Sequence, residues 1–157
     1  MQVAIALDTK GPEIRTGVLA SGVNANVDLI AGRTIHITIE DEFQEHCDEN
    51  LIWVDYKNII SLVDVEQRIF IDDGLLSLIV KEKEQFRLKC EVENGGKLSS
   101  RKGCNLPGVP VDLPAVSERD MEDLRFGVDQ EVDIVFASFI RSAEGVQTIR
   151  EVLSVSS

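Results

Sequence analysis

Hydrophobic and polar positions change their period twice along this chain. Val3 to Leu7 is an unbroken run of small and β-branched apolar residues, the pattern of a parallel strand covered on both faces. From about Arg15 to Lys97 the pattern becomes a series of short alternating segments: Arg15 to Leu19, Val27 to Ile30, Thr34 to Ile39, Arg68 to Ile71, Leu75 to Val80 and Phe86 to Val92. Turn chemistry separates them at Ser21-Gly22, Ala31-Gly32, Asp73-Gly74 and Asn94-Gly95-Gly96. Strands this short and numerous, with little helix between them, predict a small β-barrel.

The grammar changes again after Pro107 to Pro114. Ser117-Glu118-Arg119-Asp120 reads as an N-cap with an acid three positions on, and Met121, Leu124 and Val128 follow at helical spacing. Val132 to Ile140 is a second apolar run ending at Arg141, and from Ser142 another helix is predicted with Val146, Ile149 and Leu153 on one face. Without the β-rich middle, the order is β-α-β-α, the repeating unit of a parallel α/β barrel. The expected fold is therefore mainly β: a small β-barrel lobe inserted in a fragment of an α/β (TIM) barrel. Residues 1–10 would form a scaffold strand, 11–114 the β-barrel, and 115–157 the helix-strand-helix of the scaffold.

Composition narrows the partners. Sixteen Lys and Arg against 28 Asp and Glu give a formal charge of −12, which repels nucleic acid and acidic membrane surfaces, so any anion site must be local. No window reaches the run of about 18 apolar residues that spans a membrane, and Met1-Gln2 leads directly into a strand without a basic-then-apolar leader. A cytoplasmic protein is expected. The 3 cysteines, Cys47, Cys90 and Cys104, form no C-x-x-C pair and read as buried or neutral thiols. Of the 2 histidines, His46 has only Cys47 beside it, and His36 alternates with isoleucines as a solvated strand residue.

Candidate chemistry concentrates at strand ends. Asp8 and Thr9 follow the first strand, where a carboxylate and a carbonyl can hold a hard cation or simply close a turn. Arg15, just beyond Gly11-Pro12, offers a guanidinium fork suited to phosphate, or is a surface arginine on a barrel strand. Lys102 sits in a small basic loop, Ser99 to Gly103, of an otherwise acidic protein. Asp72-Asp73-Gly74 has the form of a hairpin turn whose acids can also pair with Arg15 or approach a metal. Ser138 and Phe139 end the second scaffold strand as Asp8 and Thr9 end the first, and Ser138 can bond a ligand or cap a helix. There is no P-loop, no dinucleotide-binding glycine turn and no defensible Ser-His-Asp arrangement.

The segment Ala4 to Gly17, with its Asp-Thr-Lys-Gly-Pro-Glu-Ile-Arg core, resembles the strand and domain junction of pyruvate kinases. Further resemblances follow in order at Cys47 to Asn50, Val54 to Ile59, Ile71 to Leu75, Glu91 to Gly96, Lys102 to Gly108, Asp112 to Ser117 and Phe136 to Arg141. They cover about Val3 to Leu153, a middle portion of the longer polypeptide of that family. The resemblance implies a mobile β-barrel lid on a catalytic (β/α)8 barrel, in an enzyme that transfers phosphoryl from phosphoenolpyruvate to ADP, giving pyruvate and ATP in glycolysis. It implies Mg2+ and K+ as cofactors and a homotetrameric parent.

The same resemblance assigns roles residue by residue. Asp8 and Thr9 would hold potassium, Arg15 and Lys102 would contact phosphates, and Arg15 would assist the transfer. Asp73 would pair with Arg15 when the lid closes, and Ser138 and Phe139 would line the phosphoenolpyruvate side. The catalytic Lys-Ile-Glu strand and the main magnesium ligands of the family are not among these residues, so the chain alone is expected to be inactive. The competing expectation is a non-catalytic product that binds a protein partner or self-associates through Val3 to Leu7 or Val132 to Phe136. A stand-alone nucleotide binder is a third.

Overall fold

The computed structural model describes residues 3–140 and 142–154; Arg141, at the end of one matched segment, lies outside the described residues. The chain divides into two compact units, one of residues 14–111 and one of 1–13 with 112–157.

The first of these units is a mixed sheet that curls into a small barrel. Its seven strands run in the order β2 (Ile14–Arg15), β10 (Gly103–Asn105), β6 (Arg68–Ile71), β7 (Leu76–Lys83), β8 (Arg87–Asn94), β4 (Thr34–Thr38) and β5 (Leu51–Trp53). Neighbours are antiparallel except β4 and β5. The two outer strands meet: Thr16 bridges Val54, Asp55 donates its N–H to the Arg15 carbonyl at 3.0 Å, and Gly17 donates to Trp53 at 2.9 Å. Closure leaves few backbone groups for an outside strand to pair with.

Alternation decides which side chains fill it. Ile35 and Ile37 of β4, Ile69 and Ile71 of β6, Leu78 and Val80 of β7, and Leu88 and Cys90 of β8 are buried at every second position. His36, between the two isoleucines, is half-buried beside Lys89 of the next strand. A second antiparallel pair, β3 (Asn26–Leu29) with β9 (Gly96–Ser99), contributes Leu29 and Leu98 to the core. A single-turn helix α1 (Ile59–Leu62) buries Ile59. All three cysteines are free and buried.

The other unit is β-α-β-α. Strand β1 (Ala6–Thr9) lies parallel to β11 (Ile134–Ala137), with Asp8 opposite Phe136 and Thr9 opposite Ala137. Helix α2 (Glu118–Asp129) precedes β11 and α3 (Ala143–Ser154) follows it. Ser117 caps α2 as its sequence requires: its hydroxyl accepts the Asp120 N–H at 3.1 Å, and the Asp120 carboxylate accepts the Ser117 N–H at 3.0 Å. This is the parallel strand-helix grammar of an α/β barrel fragment.

One feature of the apolar pattern changes in the fold. The first strand starts at Ala6 rather than Val3, and Val3 and Ile5 are 71% and 61% exposed. The reason is the width of the sheet: two strands among the described residues cannot cover both faces and both edges of an apolar run. No helix of the described residues is long and apolar enough to cross a membrane.

Candidate functional site

Two groups of candidate side chains assemble, each within its own unit. In the β-α-β-α unit, β1 and β11 run in register and end side by side, which brings Asp8, Thr9 and Ser138 together. The Ser138 hydroxyl donates to Asp8 Oδ1 at 3.2 Å, and the Ser138 N–H approaches Thr9 Oγ1 at 3.4 Å. Thr9 is buried and its hydroxyl donates to the Phe136 carbonyl at 3.4 Å, whereas Asp8 is exposed. Phe139 follows with a left-handed backbone, φ 58°, and its ring is exposed.

Gly11 makes this arrangement possible. Its φ is +71°, and a Cβ there would lie 2.5 Å from the Ser138 carbonyl oxygen and 2.9 Å from Phe139 Cδ2. The loop after β11 therefore rests directly on the backbone of Gly11. Beneath it, Asp120 is 3% exposed and accepts the Gly11 N–H through Oδ1 at 2.9 Å. The capping box around Asp120 is legible in sequence, but this second task, reaching across 109 residues, carries no local signal.

In the barrel, three neighbouring strands gather the charges. Gly103 of β10 pairs with Arg15 of β2, and Cys104 of β10 pairs with Ile71 at the end of β6. The Arg15 guanidinium donates from Nη1 to the Arg101 carbonyl at 2.7 Å, and its backbone N–H donates to Asp55 Oδ1 at 2.8 Å. Lys102 is anchored to the next residue of the same segment: its N–H donates to Thr16 Oγ1 at 2.9 Å and its carbonyl accepts the Thr16 N–H at 2.8 Å. Arg15 and Lys102 thus come from adjoining strand segments of one barrel edge.

The acids of the turn divide. Asp72 places Oδ2 2.9 Å from the Lys102 ammonium, while Asp73 sits exposed at the turn. Asp72, Asp73 and Gly74 have φ of 55°, 54° and 87°, the left-handed run that their Asp-Asp-Gly sequence tolerates.

Beside the basic pair lies Cys104, fully enclosed. Desolvation, with the Asp55 charge and Cys90 adding to it, pushes its thiol up to about 12; burial alone does the same to Cys90. Cys47 is raised by burial as well. These thiols stay protonated near neutral pH, which makes them poor nucleophiles.

The chemical capacities of the two groups differ. Asp8, Thr9 and Ser138 offer an all-oxygen donor set at strand ends, which suits a hard cation. Among the described residues no three His, Cys, Asp or Glu side chains converge as a metal site. Arg15 and Lys102 offer two cations on rigid backbone, which suits phosphate.

Comparison with known proteins identifies the family. The sequence pattern of the family described as "Pyruvate kinase, barrel domain" matches residues 1–157. The human protein named Pyruvate kinase PKLR is 54% identical over 151 residues, covering 96% of this chain and 26% of the human protein. Pyruvate kinase of Schizosaccharomyces pombe is 51% identical over 152 residues, and Pyruvate kinase 1 of Saccharomyces cerevisiae 50% over 152, each match covering 96% of this chain and 30% of the relative. The chain spans between a quarter and a third of the length of these curated relatives.

Proposed function

The chain belongs to the pyruvate kinase family, and from that premise we propose that it supplies the nucleotide-closing lid and part of the cation site of a phosphotransferase. The reaction is phosphoryl transfer from phosphoenolpyruvate to ADP, giving pyruvate and ATP in the glycolysis of the cytoplasm. The parent enzyme is a homotetramer. The lid is the β-barrel and the scaffold piece is the β-α-β-α unit.

The observation that carries this reading is the fixing of Arg15 and Lys102 on adjoining strand segments through Arg101 and Thr16. Phosphoryl transfer needs little covalent chemistry from a protein; it depends on positioning and on neutralising charge around the transferred group. Two cations whose backbones are locked by a closed barrel meet that need with only their side chains left to move. Arg15 takes phosphate oxygens through its fork, Lys102 reaches the nucleotide phosphates as a point charge, and Asp73 pairs with Arg15 on closure. Closure excludes water that would otherwise receive the phosphoryl group.

Asp8 through its carboxylate and Thr9 through its carbonyl would hold potassium, with Ser138 orienting Asp8 by its hydrogen bond. A cation bound there supplies positive charge against the substrate phosphate. Ser138 and Phe139 line the phosphoenolpyruvate side. Magnesium would be held chiefly by groups that these residues do not supply, so the chain alone would not turn nucleotide over.

Calorimetric titration with magnesium-ADP tests the reading. Arg15→Ala and Lys102→Ala are each expected to weaken binding by roughly tenfold, since each removes a charge-assisted hydrogen bond. Binding that survives both substitutions refutes phosphate recognition by this pair. Pyruvate formation by the purified chain refutes its inactivity.

A further inference from the structure

Lys102 is held by a carboxylate of its own barrel. Its ammonium lies 2.9 Å from Asp72 Oδ2, with the two side chains 31% and 25% exposed. Both ends of this pair are set by backbone. Asp72 closes β6, donates its N–H to the Gly103 carbonyl at 3.0 Å and accepts the Leu75 N–H at 3.0 Å, and its left-handed φ of 55° fixes the direction of the turn. Lys102 is bonded in both directions to Thr16. What can move is the methylene stem of the lysine.

We propose that Asp72 is an internal counter-ion that competes with phosphate for Lys102, so that polyphosphate is captured at this barrel edge by exchange of the ammonium from carboxylate to phosphate. This rests on Lys102 being a phosphate ligand, as proposed above. A carboxylate in contact with the ammonium is close to any phosphate oxygen bound to the same ammonium, and like charges at that separation repel despite solvent screening. The repulsion grows with ligand charge, but so does the attraction to Lys102 and Arg15. A ligand must therefore carry several charges to displace Asp72. The pair keeps the empty site from collecting singly charged anions and tunes it to a polyphosphate.

The test is calorimetric titration of the full 157-residue chain with inorganic pyrophosphate at low ionic strength. Four proteins are compared: the native chain, Asp72→Asn, Lys102→Met and the double variant. Asparagine tolerates the left-handed conformation nearly as well as aspartate, so the turn is kept, and the thermal midpoint of each variant checks this. Asp72→Asn is expected to tighten binding by about two- to fivefold, the range of a partly exposed ion pair. In the Lys102→Met background the same change is expected to leave the dissociation constant unaltered, because there is no ammonium left to exchange.

If Lys102→Met binds pyrophosphate as well as the native chain does, the phosphate reading of Lys102 falls, and the exchange with it. If Lys102→Met weakens binding while Asp72→Asn leaves it unchanged or weaker, the phosphate reading stands and the exchange is overturned. A gain from Asp72→Asn that persists without Lys102 also overturns it, since Asp72 then acts only through the general field. Absence of measurable binding to all four proteins overturns both.

Discussion

The Asp120 carboxylate accepts the Gly11 backbone N–H at 2.9 Å through one oxygen, while its other oxygen takes the Ser117 N–H at 3.0 Å and the Ser117 hydroxyl at 2.5 Å. One buried side chain thus caps α2 and ties down the backbone that follows β1. Asp120→Ala removes the capping partner and leaves the Gly11 N–H without an acceptor in a buried position. The expected cost is about 2–3 kcal/mol. Urea unfolding followed by far-UV circular dichroism measures it, and amide exchange at Gly11 should accelerate well above that of the barrel strands. Asp120→Asn keeps one acceptor oxygen and should fall between the two.

Gly11→Ala tests the close approach above that carboxylate. Its φ of +71° disfavours any L side chain, and the new Cβ would lie 2.5 Å from the Ser138 carbonyl oxygen. The strain of the backbone costs about 1 kcal/mol, and displacing the loop costs more, for roughly 3 kcal/mol together. The Ser138 amide resonance should shift, since its placement against Thr9 depends on that contact. Gly22→Ala, at φ +118° with nothing within 4 Å of the new Cβ, is the control for strain without a clash.

These two positions show what sequence does and does not make legible. The period of two in Thr34–Thr38 announces Ile35 and Ile37 as core, and Ser117 with Asp120 announces the start of α2, because both signals are local. Asp73-Gly74 announces a turn, but which acid of the pair meets Lys102 depends on how β6 lies against β10. The three-residue strand Leu51–Trp53 escapes periodicity: it pairs in parallel with β4 and has no hairpin to announce it. The Thr16–Val54 bridge that closes the barrel is equally silent. Val3 and Ile5 mislead, since an apolar run states what a strand can bury and not what lies beside it. The candidate site was legible through whole matched segments rather than through the spacing of Asp8, Arg15 and Lys102.

The buried thiols predict a loss of stability in alkali. Desolvation holds Cys90 and Cys104 up to about 12 in the fold, against about 8.5 for an exposed thiol. Between those values the unfolded chain has released protons that the folded chain retains. Stability contributed by the neutral thiols is therefore complete below about pH 8.5 and falls as pH rises toward 12, by about 1.4 kcal/mol per pH unit for each thiol. Urea midpoints measured from pH 8 to 11 should decline, and Cys90→Ala with Cys104→Ala should flatten the decline. Alkylation at pH 8 should leave both cysteines unmodified until the chain unfolds.

Glu93 predicts the opposite edge of the pH range. Arg68 grips its carboxylate from Nε at 2.9 Å and from Nη2 at 2.7 Å, and the Ser77 hydroxyl donates to it at 2.6 Å. The Arg68 hydrogen bonds, followed by that from Ser77, hold Glu93 down at about 2. A carboxylate lowered in the fold contributes stability above its unfolded value, near 4.3, and that contribution is lost as pH falls toward 2. Carbon-detected NMR titration of the Glu93 side chain should give a midpoint near 2 in the native chain. In Arg68→Gln the midpoint should return toward the ordinary glutamate range, and in Ser77→Ala it should move part of the way. A Glu93 midpoint above 4 in the native chain would contradict the geometry.

The edges of the two-stranded sheet predict how the isolated chain behaves at high concentration. Strands β1 and β11 pair only with each other among the described residues, so each presents an outer row of backbone N–H and C=O groups. Val3, Ile5, Ile134 and Phe136 stand 71%, 61%, 44% and 56% exposed on or beside these strands. Apolar surface next to an open strand edge favours addition of a second copy, because pairing satisfies the backbone and covers the side chains at once. In the seven-stranded sheet the outer strands β2 and β5 instead meet through the Thr16–Val54 bridge. Sedimentation velocity should show the mean mass rising with concentration, and Ile5→Lys combined with Phe136→Lys should return the chain to monomer by placing charge on both strands. A monodisperse monomer of the native chain at millimolar concentration would show that these edges do not self-pair, and would remove the physical basis for a self-associating module.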